Sequence, residues 1–111
     1  MTDQADIILP LSALEFTSAA RAEAMAEAWS TVQIGGLLQH AVTHFATSEL
    51  DAGNLHTVSV TFDVSFEPEA GREIVFESRI DRKTRTLIFA SGIASQADQV
   101  LMKATIVYRI A

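Results

Sequence analysis

The chain has 111 residues, 49% of them apolar and 20% charged, with a net charge of −6 and no cysteine. That length suits a single domain over residues 1–111, the lack of cysteine removes disulfides, thiolate nucleophiles and thiolate metal sites, and the acidic balance argues against binding a nucleic-acid backbone, which needs dense Lys and Arg. No apolar run reaches the roughly 18 to 20 residues of a bilayer span, and the polar start at Met1 to Asp6 lacks the basic and apolar regions of a secretory signal, so no membrane association and a cytoplasmic location are expected.

In chain order, Asp6 to Leu9 is apolar and β-branched enough for a short strand, ended by Pro10, which cannot donate to a ladder. Ser18 to Trp29 is rich in Ala and Glu and reads as a helix by propensity, with Met25 and Trp29 four apart on one face. Gly35 and Gly36 interrupt it and open a second helix. From Ile34 onward Leu37, Leu38, Ala41, Val42 and Phe45 recur at helical spacing and form a stripe for a sheet to cover. The other side carries His40, Thr43, His44 and Thr47 at i, i+3, i+4 and i+7, so these four share a face.

The border between helical and strand halves falls near Asp51 to Asn54, where the period changes from 3.6 to 2. His56, Val58, Val60, Phe62, Val64 and Phe66 alternate with polar residues, which predicts a strand with one buried face. Pro68 and Gly71 make a turn. Ile74, Phe76 and Ile80 mark the next strand, Leu87, Phe89 and Ile93 another, and Val100 to Ile110 the last. The short connections at Asp81 to Thr84 and Ser95 to Asp98 imply consecutive antiparallel pairing. The expected architecture is α+β, an antiparallel sheet of four or five strands wrapped around one helix.

The order of these features resembles a known family. A Gly-Gly-opened apolar helix, a long alternating strand ending in Phe66-Glu67-Pro68, and three further strands with a basic hairpin at Asp81-Arg82-Lys83-Thr84-Arg85 look like the hotdog-fold acyl-CoA thioesterases. Within them the likeness is to the phenylacetic-acid-degradation and 4-hydroxybenzoyl-CoA thioesterase branch, over about residues 33 to 110. The resemblance implies an acyl-CoA ligand lying between subunits of a homodimer joined edge to edge, often paired again into a homotetramer, with no cofactor. Unpaired apolar sheet edges favour association independently.

Thioester hydrolysis needs hydrogen-bond donors for the carbonyl oxygen and a base or nucleophile. Free amides in the first turn of a helix supply such donors, and Gly35 and Gly36 would let a substrate approach the backbone. In the resembling family the corresponding glycine amide polarises the carbonyl, a His often precedes the pair, and an Asp or Glu stands seven positions after the second glycine. Here those two places hold Ile34 and Thr43. With the carboxylate missing, His40 or His44 is the candidate base, Thr43 the group that positions the water, and Gly36 the oxyanion donor. Glu15, Glu49, Asp51 and Asp63 are the other carboxylates to weigh, and Thr47 matches a polar position beside the reaction centre of the 4-hydroxybenzoyl-CoA branch. No Glu follows His40 as in the metalloprotease helix motif, so no metal site is expected.

Arg82, Lys83 and Arg85 occupy the hairpin that meets CoA phosphates in the family, where they would make charge-assisted bonds. The expected function is hydrolysis of a small or medium acyl-CoA. A hotdog protein that binds acyl-CoA or serves as a scaffold without turnover is the alternative, and a hydratase using His44 with Asp51 is a third. A solvated helix face and a charged hairpin tip are the plain readings of the same residues.

Overall fold

The computed structural model describes residues 8–50 and 54–110. A 3₁₀ turn at Leu11–Ala13 precedes strands β1 (Glu15–Ser18) and β2 (Arg21–Met25), helix α1 (Thr31–Leu50), and strands β3 (Leu55–Val64), β4 (Glu73–Lys83), β5 (Leu87–Gln96) and β6 (Gln99–Ile110). The strands form one antiparallel sheet in the order β1-β2-β4-β5-β6-β3. Helix α1 lies chiefly against β4, β5 and β6. Leu37, Leu38, Ala41 and Val42 meet Ile74, Phe76, Ile88, Ala90 and Ile106 in a fully buried core.

Helix and sheet come close together at Gly92. A Cβ there would stand 2.4 Å from Val42 Cγ2, 3.0 Å from Leu38 Cδ1 and 3.2 Å from the Glu77 carbonyl oxygen. The missing side chain is what lets the two helix residues reach the sheet backbone.

Helix α1 begins at Thr31, about one turn before the apolar stripe. Ser30 caps it: the Gln33 amide donates to Ser30 Oγ at 3.3 Å, and the Ser30 amide donates to Gln33 Oε1 at 3.0 Å. This reciprocal capping box satisfies two of the amides that a helix start leaves open. The Ile34 amide then makes the first intrahelical bond, to the Ser30 carbonyl. Gly35 and Gly36 therefore sit inside the helix rather than at its tip.

Three other expectations change. Ser18 to Trp29 is not a helix: Glu15–Ser18 and Arg21–Met25 form a hairpin at the sheet edge, followed by irregular chain. Ala22, Ala24 and Ala26 are buried while Arg21 and Glu23 are only half-buried and bond to each other. That is a period of two, and pairing with β4 overrides the helix propensity of Ala and Glu. Strand β3 does not bury one face, because it lies at the sheet edge beyond the helix, leaving Val58, Phe62 and Val64 54%, 39% and 54% exposed. The sheet has six strands rather than four or five. The strand expected over Asp6 to Leu9 lies partly outside the described residues, and Ile8 and Leu9 have no regular structure.

Two local devices fix the strand ends. Ala97 and Asp98 both take positive φ, 49° and 66°, the twist a two-residue hairpin turn requires between β5 and β6. Gln96, 6% exposed, accepts from the Glu69 amide at 2.8 Å and donates to the Glu69 and Arg72 carbonyls at 2.8 and 3.1 Å. Its carboxamide thereby anchors the connection that leads from β3 to β4.

Gly92→Ala should destabilise the protein by about 1–3 kcal/mol through overpacking, read as a lower denaturant midpoint at unchanged slope. Combining it with Val42→Ala should recover part of the loss, since the new methyl then has room; additive losses would refute the steric account.

Candidate functional site

A cleft of about 660 Å³ opens between the first half of α1 and the β3–β6 edge. Its helix wall carries Thr31, Val32, Gly35, Gly36, Gln39, His40 and Thr43, and its strand wall Thr57, Phe62, Val64 and Met102, with Ile8 beside Gly36. Gly36, Gln39, His40 and Thr43 stand at i, i+3, i+4 and i+7, one coherent helix face. Gly35 backs onto β3: a Cβ there would lie 3.5 Å from the Phe62 ring and 3.7 Å from Met102 Sδ, ordinary contact distances. Gly36 is more open, with only Ile8 near, at 3.9 Å.

The start at Thr31 moves the open amides. In a regular helix the amides of Gly35 and Gly36 bond carbonyls four residues back, whereas those of Thr31 and Val32 have no acceptor within the helix. Both of these residues line the cleft. The Ser30-x-x-Gln33 signature in the sequence marks this start, ahead of the glycines.

Of the residues singled out from the sequence, Gly35, Gly36, His40 and Thr43 come together at the cleft. His44 and Thr47 do not line it. His44 is exposed and packs on Phe16 of β1, ring centroids 4.3 Å apart and planes tilted by 38°. It shares the face of His40 but lies one turn further along the helix, where it meets β1 instead of the cleft. Arg82, Lys83 and Arg85 are exposed at the β4–β5 hairpin and do not line the cleft of their own chain, and the Arg82 guanidinium sits 5.8 Å over the Phe89 ring. Glu15, Glu49 and Asp63 are exposed outside the cleft, and Asp51 lies outside the described residues. Among the described residues no three His, Asp or Glu side chains gather as a metal site, and no helix is long and apolar enough to cross a membrane.

Sequence reasoning missed Tyr108. It is fully buried on β6, and its hydroxyl stands 2.7 Å from Thr43 Oγ1. Gln39, Thr57 and Met102 were missed too. A shift of the polar stripe by one turn toward the amino end, as the capping box implies, brings Gln39 in. Nothing in the local pattern distinguishes Tyr108 from a core aromatic.

No family model matches the chain, and no curated protein matches it by sequence. Solved structures do match. A Streptococcus pneumoniae protein described as a hypothetical thioesterase, solved with coenzyme A, superposes with a TM-score of 0.77 at 9% identity over 92% of this chain and 91% of that one. A phenylacetic acid degradation-related protein from Ralstonia eutropha gives 0.75 at 15% identity, over 87% and 83%. A Streptococcus mutans protein bound to acetyl-CoA gives 0.74 at 12%, over 82% and 79%. The fold is the hotdog fold. In structure the chain resembles thioesterases built on it, and the sheet curled around one helix is the expected α+β arrangement.

Within this hotdog fold the Tyr108 phenol is the group whose ionisation the site shifts. Burial pushes it above its ordinary value near 10, and the bond with Thr43 acts in the opposite sense. The folded chain therefore keeps a proton that the unfolded chain releases above pH about 10, so this contribution to stability is intact below that pH and is lost as pH climbs through the raised value. Tyr108 is the only tyrosine, and the phenolate absorbance band reports on it alone. The band should appear at higher pH in the native than in the denatured protein, and Tyr108→Phe should flatten the alkaline loss of stability. Superimposed native and denatured titrations would contradict the burial.

Proposed function

We propose that the protein hydrolyses a small or medium acyl-CoA thioester, with the acyl carbonyl in the cleft between α1 and β3 and a second copy of the chain closing the open side. The observation that carries this reading is the division of the cleft: Gln39, His40 and Thr43 project from the helix, while Phe62, Val64 and Met102 offer an apolar wall to an acyl group. The hotdog neighbours solved with coenzyme A and acetyl-CoA support the ligand class. The exposed Val58, Phe62, Val64 and Phe66 on and beside the edge strand support a partner copy.

His40, half-buried, is the imidazole in the cleft and serves as general base. It takes a proton from water as the water oxygen bonds to the carbonyl carbon. Negative charge grows on the carbonyl oxygen and is met by hydrogen-bond donors on the cleft face of the helix beside His40, where the bare backbone of Gly36 leaves room for the substrate. The carbon–sulfur bond then breaks and the departing thiolate takes the proton back from the imidazolium. Gly35, Phe62 and Met102 shape the acyl wall. Arg82, Lys83 and Arg85 lie outside the cleft of their own chain and hold CoA phosphates at the cleft of the partner. Thr47 and His44, off the lining, are left with no contact to the reacting atoms.

One observation favours the alternative of binding without turnover: none of the described lining residues is Asp or Glu. Incubation with a panel of acyl-CoAs and a thiol reagent separates the two. Thiol release is expected, with kcat lowered about 10²–10⁴-fold by His40→Ala and unaffected by His44→Ala. Absence of release at every chain length, with acyl-CoA binding seen by calorimetry, would replace the hydrolase by a binder. Reversing the charges of Arg82, Lys83 and Arg85 should weaken CoA affinity by roughly tenfold or more, about 1.4 kcal/mol per decade; unchanged affinity would move the phosphate site elsewhere.

A further inference from the structure

The polar side of the cleft is backed by a phenol that no solvent reaches. Thr43 Oγ1 and the Tyr108 hydroxyl are 2.7 Å apart; Tyr108 has no exposed surface, and Thr43 lines the cleft. A threonine within a helix ordinarily gives its hydroxyl proton to the carbonyl one turn back, here that of Gln39. Among the described residues Thr43 Oγ1 bonds the Tyr108 hydroxyl and not that carbonyl. A phenol is a stronger acid than an aliphatic alcohol, and its oxygen, conjugated with the ring, is the weaker acceptor. The favoured direction is therefore from Tyr108 to Thr43. Burial keeps the phenol protonated at neutral pH, so the donor is always present there.

We propose that Tyr108 is a positioning residue: by donating to Thr43 Oγ1 it turns the threonine O–H into the cleft, where that O–H donates to the carbonyl oxygen of the bound thioester. This rests on the acyl-thioester reading of the cleft and adds to it a specific donor. A hydroxyl in this place does not remove a proton from water. It answers the charge that builds on oxygen in the transition state, where a donor fixed in advance is most effective. As the water oxygen bonds to carbon, the carbonyl pair moves onto oxygen and is held by the Thr43 hydrogen. When that pair returns, the carbon–sulfur bond breaks and sulfur takes the proton from His40. Thr43 and Tyr108 end the cycle with the protons they began with.

The test uses the full chain and a ketone analogue of an acyl-CoA in which a methylene replaces sulfur, labelled with ¹³C at the carbonyl. It cannot be hydrolysed, so its infrared carbonyl band reads the hydrogen bond whether or not the protein turns over. The band should lie at lower frequency in the parent protein and Thr43→Ser than in Tyr108→Phe and Thr43→Val, and the double variant should match Thr43→Val alone. Where thioester turnover is measured, Tyr108→Phe should lower kcat by roughly 10- to 100-fold, below the 10²–10³ of deleting a donor outright, with KM changed less than about threefold. Because Tyr108 is the sole tyrosine, biosynthetic replacement by a ring-fluorinated tyrosine alters this one phenol without emptying its place in the core. The stronger acid should shift the band further down even if Tyr108→Phe folds poorly. An analogue that binds with the same carbonyl band in parent, Tyr108→Phe and fluorinated proteins overturns this inference and leaves the cleft reading standing. An analogue that the parent protein does not bind overturns both.

Discussion

Contact between Val42, Leu38 and the bare backbone at Gly92 sets the rotation of the central helix, and the site follows from that rotation. With Leu38 and Val42 directed onto β5, successive residues turn by about 100°. Gln39 and Thr43, each one residue on from a buried leucine or valine, are thereby carried to the flank that faces β3. His40 follows on the same flank. The cleft-lining face of α1 is a corollary of where this contact falls, with no separate device needed to aim it.

The second determinant is that the sheet is wider than the helix. Strands β4, β5 and β6 lie beneath α1, while β3 projects past it at the margin. The space left between the overhanging strand and the helix shoulder is the cleft, bridged at one point by the Phe62 ring against Gly35. A strand that looks amphipathic in sequence thus contributes its apolar face to a cavity and a margin rather than to the core.

Much of this arrangement was legible in the residues, for physical reasons that differ by element. The period of α1 and the turn chemistry near Gly71 and after Gln96 come from local geometry, and the sequence carries them directly. The hairpin at Glu15–Met25 was hidden because Ala and Glu favour helices in isolation, and only the neighbouring β4 makes the alternation of Ala22, Ala24 and Ala26 decisive. Among the residues that line the cleft, His40 and Thr43 were read from helical spacing and Gly36 from the Gly-Gly pair ahead of the apolar stripe. His44 was drawn in by the same spacing, since a polar stripe read from sequence has no edge until a strand is set beside it. Tyr108 stands 65 residues from Thr43, and a contact of that separation leaves no trace in any local pattern.

The Gln96 carboxamide that secures the outlet of β3 carries no charge at any pH, and neither Thr43 nor the buried phenol ionises near neutrality. The carboxamide anchor of that connection and the hydroxyl pair behind the cleft accordingly keep their hydrogen bonds across the range where an imidazole changes charge.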